Sequence, residues 1–410
     1  MRVHVGNSIV SCFDGVLSDL NVYVPLHIPH EVVTEILLEL PVTTLLRLKS
    51  VCKAWHRTIS ENSSFHDAHL HRHRTDLRLL IAPRICTKVA GNNFHGGDNA
   101  YTVAMAGLYL WEEDHPYHTA TALVHPMPFP SYPVQSYPCL VHCDGLVLVG
   151  TESAGWVLNP ATRRMLTLHC SFGKNGMFGI GRDPRSKAYK VVRFFHRPKP
   201  DSTPAPHVEV FTIGSNIPSW HEMVAQPPCH VKTRLTATFF KGSLIWIIDH
   251  CYGGAPLGLL RLRLDDETFN IVHPPPCWSS LHHEPSSMSV LRQELCVTTS
   301  VGLTYQSLDM WICINLDTPQ WEKRHNILSD STRPLRPVAV LGDGVLVCRL
   351  SDRYLCHCTY QPGENVVVKH TIGLNAISYY NIGKITVVQY PSPSTFYFDA
   401  IPYVPSLVSI

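Results

Sequence analysis

The sequence holds no apolar stretch approaching the ~20 residues that cross a bilayer, and Asp14 and Asp19 interrupt its opening before a long hydrophobic segment forms. Neither a membrane span nor a secretory leader is expected. Charge is also scarce, at 16% of residues with a net value of +2. So weak a field gives no reason for nucleic acid or an anionic membrane to be the main partner. Binding must come from shaped surfaces. A phosphate loop, a GxSxG elbow and a metal-binding helix are missing too, and GIGRDP at residues 179–184 lacks the glycine spacing of a nucleotide fingerprint. Its Asp183-Pro184 pair reads instead as a turn between strands. No catalytic residue, cofactor or metal is expected.

Cysteine is not scarce, at 14 residues, but it is scattered. Cys139, Cys296, Cys313 and Cys348 sit inside apolar runs, where a thiol behaves as a small buried hydrophobe. A reducing compartment, nucleus and/or cytoplasm, follows. The close pairs Cys139/Cys143 and Cys356/Cys358 lack the two-residue gap of zinc knuckles and read as core. On a helix, His66 with His69, or His69 with His73, would share a face able to hold a metal. Their position, with His71, just before a change of composition favours a polar connector.

At 410 residues and 45% hydrophobic, the chain is long enough for more than one domain. From Ile28 to Ile59 apolar residues fall at helical spacing. Pro29 suits an opening turn, Glu31 complements the helix dipole, and Val32, Val33, Ile36, Leu37 and Leu40 form one apolar face ended by Pro41. Thr43 or Thr44 is the expected cap of a second helix carrying Leu45, Leu48, Val51, Cys52, Trp55 and Ile59. Ser63 or Ser64 is the expected cap of a third around Phe65 and Leu70. This trihelical unit, residues 25–70, has only ~45 residues, too few to bury much of its own surface. It calls for a partner. Residues 1–24 read as a flexible segment and 71–76 as a linker.

From residue 77 to 410 the chain reads as short strands between Gly, Pro, Asp and Asn. A loose repeat appears when glycine-led strands are aligned: DGLVLVG at Asp144, KGSLIWII at Lys241, QELCVTT at Gln293 and GDGVLVC at Gly342. The spacing, roughly 50 residues or twice that, is the blade period of kelch-like propellers. Two further blade-sized segments occupy residues 77–125 and 178–223. The fold expected is thus α+β multidomain: a small helical unit, then an all-β propeller of about six blades, with seven blades or a double sheet as alternatives. KITVVQY and TFYFDA are placed to close the ring onto the first blade, and Trp156, Trp220, Trp246, Trp311 and Trp321 to fill space between blades. The Pro-rich segments at 126–138, 198–206 and 274–285 are candidate binding loops or simple connectors.

The stretch IPHEVVTEILLELPVTTLLRLKSVCKAWHRTISENSSF, Ile28 to Phe65, resembles an F-box from end to end. Ile28-Pro29, Ile36-Leu37, Leu40-Pro41, Leu45, Leu48, Val51-Cys52-Lys53 and Trp55 stand at the family's pattern positions. The remainder is similar to plant F-box-associated domains through CDGLVLV, WVLNPATRR, GIGRDPRSKAYKVVRFF, GSLIWII and LDDETFNI, in that order. The resemblance implies a substrate receptor without an active site. Its helices would bind a Skp-type adaptor, and through it cullin and a RING subunit, while the β domain holds a target for ubiquitination. The adaptor-binding residues implied are Ile28, Pro29, Ile36, Leu37, Leu40, Pro41, Leu45, Leu48, Val51, Lys53 and Trp55, the last anchoring the surface or bracing the helices behind it. A non-degradative scaffold and, further off, a propeller enzyme are the rival readings.

Overall fold

In a computed structural model, the described residues are 28–88, 101–105, 107–112, 119–124, 132–133, 139–151, 154–170, 174–196, 205–216, 218–233, 235–250, 254–279, 285–300, 307–328, 335–342, 344–350, 353–359, 366–373, 377–381, 384–388 and 396–410. Residues 1–24 lie outside them.

Pro29 and Pro41, at φ −55° and −57°, lead into α1 (His30–Leu38) and α2 (Val42–Leu48) without a side-chain cap, so neither Thr43 nor Thr44 caps. Both are already inside the second helix. That helix does not run on to Ile59. Cys52 is extended at φ −159°, and its Sγ accepts the Trp55 N–H at 3.5 Å, opening a separate α3 (Lys53–Glu61). Asn62, not Ser63 or Ser64, caps α4 (Ser63–Arg72), with Oδ1 accepting the Phe65 N–H at 3.0 Å. Asparagine caps as well as serine, and here it stands one residue earlier. The unit therefore has four helices rather than three.

Its core is Leu37, Leu38, Val42, Leu45, Ile59 and Phe65. The single apolar face expected of α1 is in fact two. Leu37 and Leu38 turn inward with Val33 beside them, whereas Val32 and Ile36 are 47% and 53% exposed.

The strands follow as β1 (Arg78–Lys88), β2 (Tyr101–Met105), β3 (Leu108–Glu112), β4 (Thr119–Val124), β5 (Tyr132–Pro133), β6 (Cys139–Cys143), β7 (Leu146–Gly150), β8 (Ala154–Asn159) and β9 (Arg164–His169). Next come β10 (Lys174–Arg182), β11 (Tyr189–His196), β12 (Pro206–Thr212), β13 (Trp220–Glu222), β14 (Thr238–Phe240), β15 (Ser243–Ile247), β16 (Leu259–Arg263) and β17 (Phe269–Val272). The last are β18 (Pro285–Leu291), β19 (Glu294–Ser300), β20 (Ser307–Asn315), β21 (Gln320–Leu328), β22 (Leu335–Leu341), β23 (Val345–Leu350), β24 (Tyr354–Thr359), β25 (Val366–Gly373), β26 (Ser378–Asn381), β27 (Lys384–Val388) and β28 (Phe396–Tyr403).

Five antiparallel meanders, β6–β9, β10–β13, β14–β17, β18–β21 and β22–β25, are five blades. The sixth is built from both ends of the domain. β28 pairs antiparallel with β1, from Arg78 opposite Tyr403 to Ile85 opposite Phe396, and β3, β4, β26 and β27 extend outward. The first strands β6, β10, β14, β18, β22 and β28 touch in succession, and β28 touches β6. The ring is closed by TFYFDA, as its position suggested. Each interblade space holds one hydrophobic core, six in all among the described residues. Radial repetition of this kind keeps sheet edges short and protected.

The glycine-led repeat is the turn between the first two strands of a blade. Asp144-Gly145, Lys241-Gly242 and Arg292-Gln293 all have positive φ, the conformation that lets a two-residue turn follow the strand twist. Trp156 and Trp246 are buried in interblade cores. Trp220 and Trp321, each among the first two residues of an outer strand, donate their indole N–H to the carbonyls of His169 and His273 at 3.0 and 2.8 Å, stitching one blade to the one before.

In such meanders the first-to-second and third-to-fourth turns share one end of the blade. The second-to-third turns and the blade-to-blade crossings share the other. The helical unit sits at the first end, where Ala161, between β8 and β9, packs on its core and Arg182, closing β10, pairs with Asp67 of α4. By strand order the connections at 126–138, 198–206 and 274–285 leave from the opposite end. Most of their residues lie outside the described ones.

Candidate adaptor-docking site

With its core already filled, the helical unit still exposes Ile28, Val32, Ile36 and Val51, each 47–53% accessible. Val32 and Ile36 lie one turn apart on one face of α1, and Ile28 stands just ahead of the helix. Pro29, Pro41 and Lys53 are exposed as well. Leu40, Leu48 and Trp55 are half-buried and pack against the core from its rim, so Trp55 braces the helices. Leu37 and Leu45, 1% and 0% exposed, are interior. Of the residues expected at the docking surface, these two lie beneath the surface of the helical unit. Val32 belongs with the exposed set. Its spacing to Ile36 signalled this, since i and i+4 share a helix face.

Next to this surface an open groove of about 420 Å³ is lined by His30, Ala54, Arg57, Thr58, Glu61 and Asn62. It is mixed in polarity, and Arg57 is exposed on its wall.

The histidines have a different task from the connector expected of them. His66 Nε2 donates to the Ile59 carbonyl at 2.9 Å, His69 Nε2 to the Leu40 carbonyl at 2.8 Å, and His73 Nε2 to the Leu38 carbonyl at 2.9 Å. Each satisfies a carbonyl at or near the end of α1 or α3, where the helix offers no N–H. Burial holds the His66 and His69 imidazoles below their ordinary pKa, against the raising effect of those bonds. His73 also meets Asp76 at 2.6 Å, and Arg72 reaches Glu39, just after α1, and Glu35 on α1 at 2.8 and 3.1 Å. Two side chains of α4 and His73, which follows it, thereby fasten it to the end of α1.

The second cysteine pair is packing. Cys356 and Cys358 lie with Cys296 and Cys348 in the core between the fourth and fifth four-stranded meanders, and burial pushes the Cys296, Cys348 and Cys356 thiols upward. Cys143 is buried between β6–β9 and β10–β13. The side chain of Cys139 lies outside the described residues.

Residues 116–410 match the family described as F-box associated beta propeller domain, and residues 26–71 the family described as F-box-like. An F-box/LRR-repeat/kelch-repeat protein of Arabidopsis thaliana is 25% identical over 407 residues, covering 94% of this chain and 99% of its own. An F-box/kelch-repeat protein of the same plant is 27% identical over 301 residues, covering 70% of this chain and 71% of its own. Among solved structures, Citrobacter koseri AztD aligns over 73% of this chain and 81% of its own at 10% identity, with a TM-score of 0.36. A four-helix unit with exposed apolar residues joined to a six-bladed ring, and a family match over most of the chain, place it among plant F-box proteins with a C-terminal F-box-associated propeller domain.

Proposed function

We propose that this chain is the substrate-recognition subunit of a Skp–cullin–F-box ubiquitin ligase, without an active site of its own. The observation that carries the reading is the exposure of Ile28, Val32, Ile36 and Val51 on a helical unit whose core is complete without them. Apolar side chains so placed are the anchors of a protein interface, and aliphatic and aromatic anchors dominate such interfaces. The partner is a Skp-type adaptor, which bridges to cullin and its RING subunit. Leu40, Leu48 and Trp55 contribute their exposed edges, Lys53 a rim charge, and Leu37 and Leu45 the rigidity of the support.

The propeller recruits the target protein on the end away from the F-box, where the second-to-third connections and blade crossings gather. This end stays free when the adaptor is bound, and loops vary without disturbing the blades. The protein works in nucleus and/or cytoplasm, where cullin ligases meet their targets.

The test is co-purification of the full chain, and of its Ile36→Asp and Val51→Asp forms, from a plant extract with detection of adaptor and cullin. Recovery of both with the native chain and their loss with the variants supports the receptor reading. Adaptor without cullin leaves a non-degradative scaffold. Equal recovery with all three removes the docking surface.

A further inference from the structure

The F-box core contains one residue from the far end of the chain. Leu407, 5% exposed, belongs to the same cluster as Leu37, Leu38, Val42, Leu45, Ile59 and Phe65. It comes from Val404–Ile410, the segment that follows β28.

The path of that segment is fixed on its other side by the propeller. Asn159, wholly buried at the end of β8, donates through Nδ2 to the carbonyls of Ser406 and Val408 at 3.1 and 2.7 Å. Its Oδ1 meanwhile accepts the N–H groups of Ala161 and Thr162, holding the turn that packs Ala161 against the F-box. In extended chain neighbouring side chains point opposite ways, and the burial agrees. Val408 enters the core between β6–β9 and β10–β13, while Leu407 enters the helices. The segment lies so close to the β6–β7 turn that a Cβ on Gly145 would stand 2.4 Å from Ser406 Oγ and 2.5 Å from the Val404 carbonyl oxygen. Gly145 also has φ +83°, so only glycine meets both demands.

We propose that residues 404–410 are a strap that makes the F-box depend on a closed propeller. β28 is the last strand and closes the ring. Only its pairing with β1 positions the strap on Asn159 and delivers Leu407. A four-helix unit this small gains much from each buried leucine, and removing one from a core loosens the elements around it. The F-box, though first in the chain, is therefore finished last. A chain whose propeller is open carries an F-box that is loose and docks poorly. The docking consequence rests on the receptor reading above; the structural dependence does not.

Amide exchange on the full-length chain and on Leu407→Ala and Leu407→Met, alongside adaptor co-purification, decides it. The expected result is exchange at least about tenfold faster across α1–α4 in Leu407→Ala, unchanged protection in β6–β9, restored protection in Leu407→Met, and adaptor recovery falling in step. Unchanged protection of α1–α4 overturns the strap. So does an equal loss in the blades, because the effect is then not specific to the F-box. If the native chain recovers no adaptor, the receptor reading fails while the exchange data still decide the strap. If Leu407→Ala exchanges faster yet recovers adaptor as well as the native chain, the docking dependence is overturned.

Discussion

Arg182, the last residue of β10, holds both carboxylate oxygens of Asp67 on α4 through one terminal nitrogen, at 2.6 and 2.8 Å. Its Nε donates to the Lys187 carbonyl at 3.0 Å, and its guanidinium stands 5.6 Å from the centre of the Tyr189 ring. Tyr189 in turn donates to Asp144 at 3.1 Å, in the turn against which the 404–410 segment packs. The F-box is thus tied to the propeller by a polar contact as well as by Leu407.

Asp67 is 44% exposed, so solvent screens the pair and its worth is modest. A double-mutant cycle with Arg182→Ala and Asp67→Ala should give a coupling of about 0.5–1 kcal/mol in thermal unfolding. Coupling of zero would mean that Arg182 serves only its own turn.

The split between outer and inner residues of α1 predicts opposite behaviour from neighbours. Ile36→Asp should leave the helices folded and weaken adaptor binding roughly 10- to 100-fold, since an apolar anchor contributes about 1.5–3 kcal/mol. Leu37→Asp should unfold the unit, because it drives a carboxylate into the F-box core. Circular dichroism with adaptor titration separates the two. An intact fold in Leu37→Asp, or full affinity in Ile36→Asp, contradicts the assignment of faces.

The F-box should weaken in mild acid. Burial depresses the folded-state pKa of His66 and His69, so the unfolded chain binds more protons as pH drops below about 6.5. Their contribution is present above that value and is lost as pH falls toward the lower folded values. Amide exchange in α4, corrected for intrinsic rate, should be flat from about pH 8 to 6.5 and accelerate below. A flat profile throughout would show that these imidazoles are not desolvated.

Within the propeller, Arg193 on β11 stands directly opposite Glu209 on β12, at 2.8 Å, with side-chain exposures of 0% and 8%. Phe178 and Phe195 flank the guanidinium. Glu209→Ala takes the opposing carboxylate away from a buried guanidinium and should cost about 3–5 kcal/mol in urea unfolding. Glu209→Gln, which keeps an acceptor, should cost less. A loss below about 1 kcal/mol in Glu209→Ala would mean that water reaches the site.

Much of this was legible from local pattern. The spacing of Ile28 to Ile59 marked helices, and the recurring turn at Asp144-Gly145 and Lys241-Gly242 marked blades. Both signals are carried by residues close along the chain, whose backbone preferences hold wherever the segment ends up. The same local reading erred at the helix ends. Pro41, Cys52 and Asn62 took the capping positions, because a cap depends on φ, ψ and one hydrogen bond, and several neighbours compete for it.

The sequence by itself determined the kinds of element and their order: helices, the first stopped ahead of Pro41, then meanders whose turns demand positive φ. Only the tertiary structure decided which flank of α1 is covered, the register in which β28 pairs with β1, that Arg182 meets Asp67, and that Leu407 completes the F-box. An apolar residue states that it will be buried but not by what. Contacts between distant parts of the chain leave no period in the sequence, and they are settled only when the ring closes and brings the two ends of the domain together.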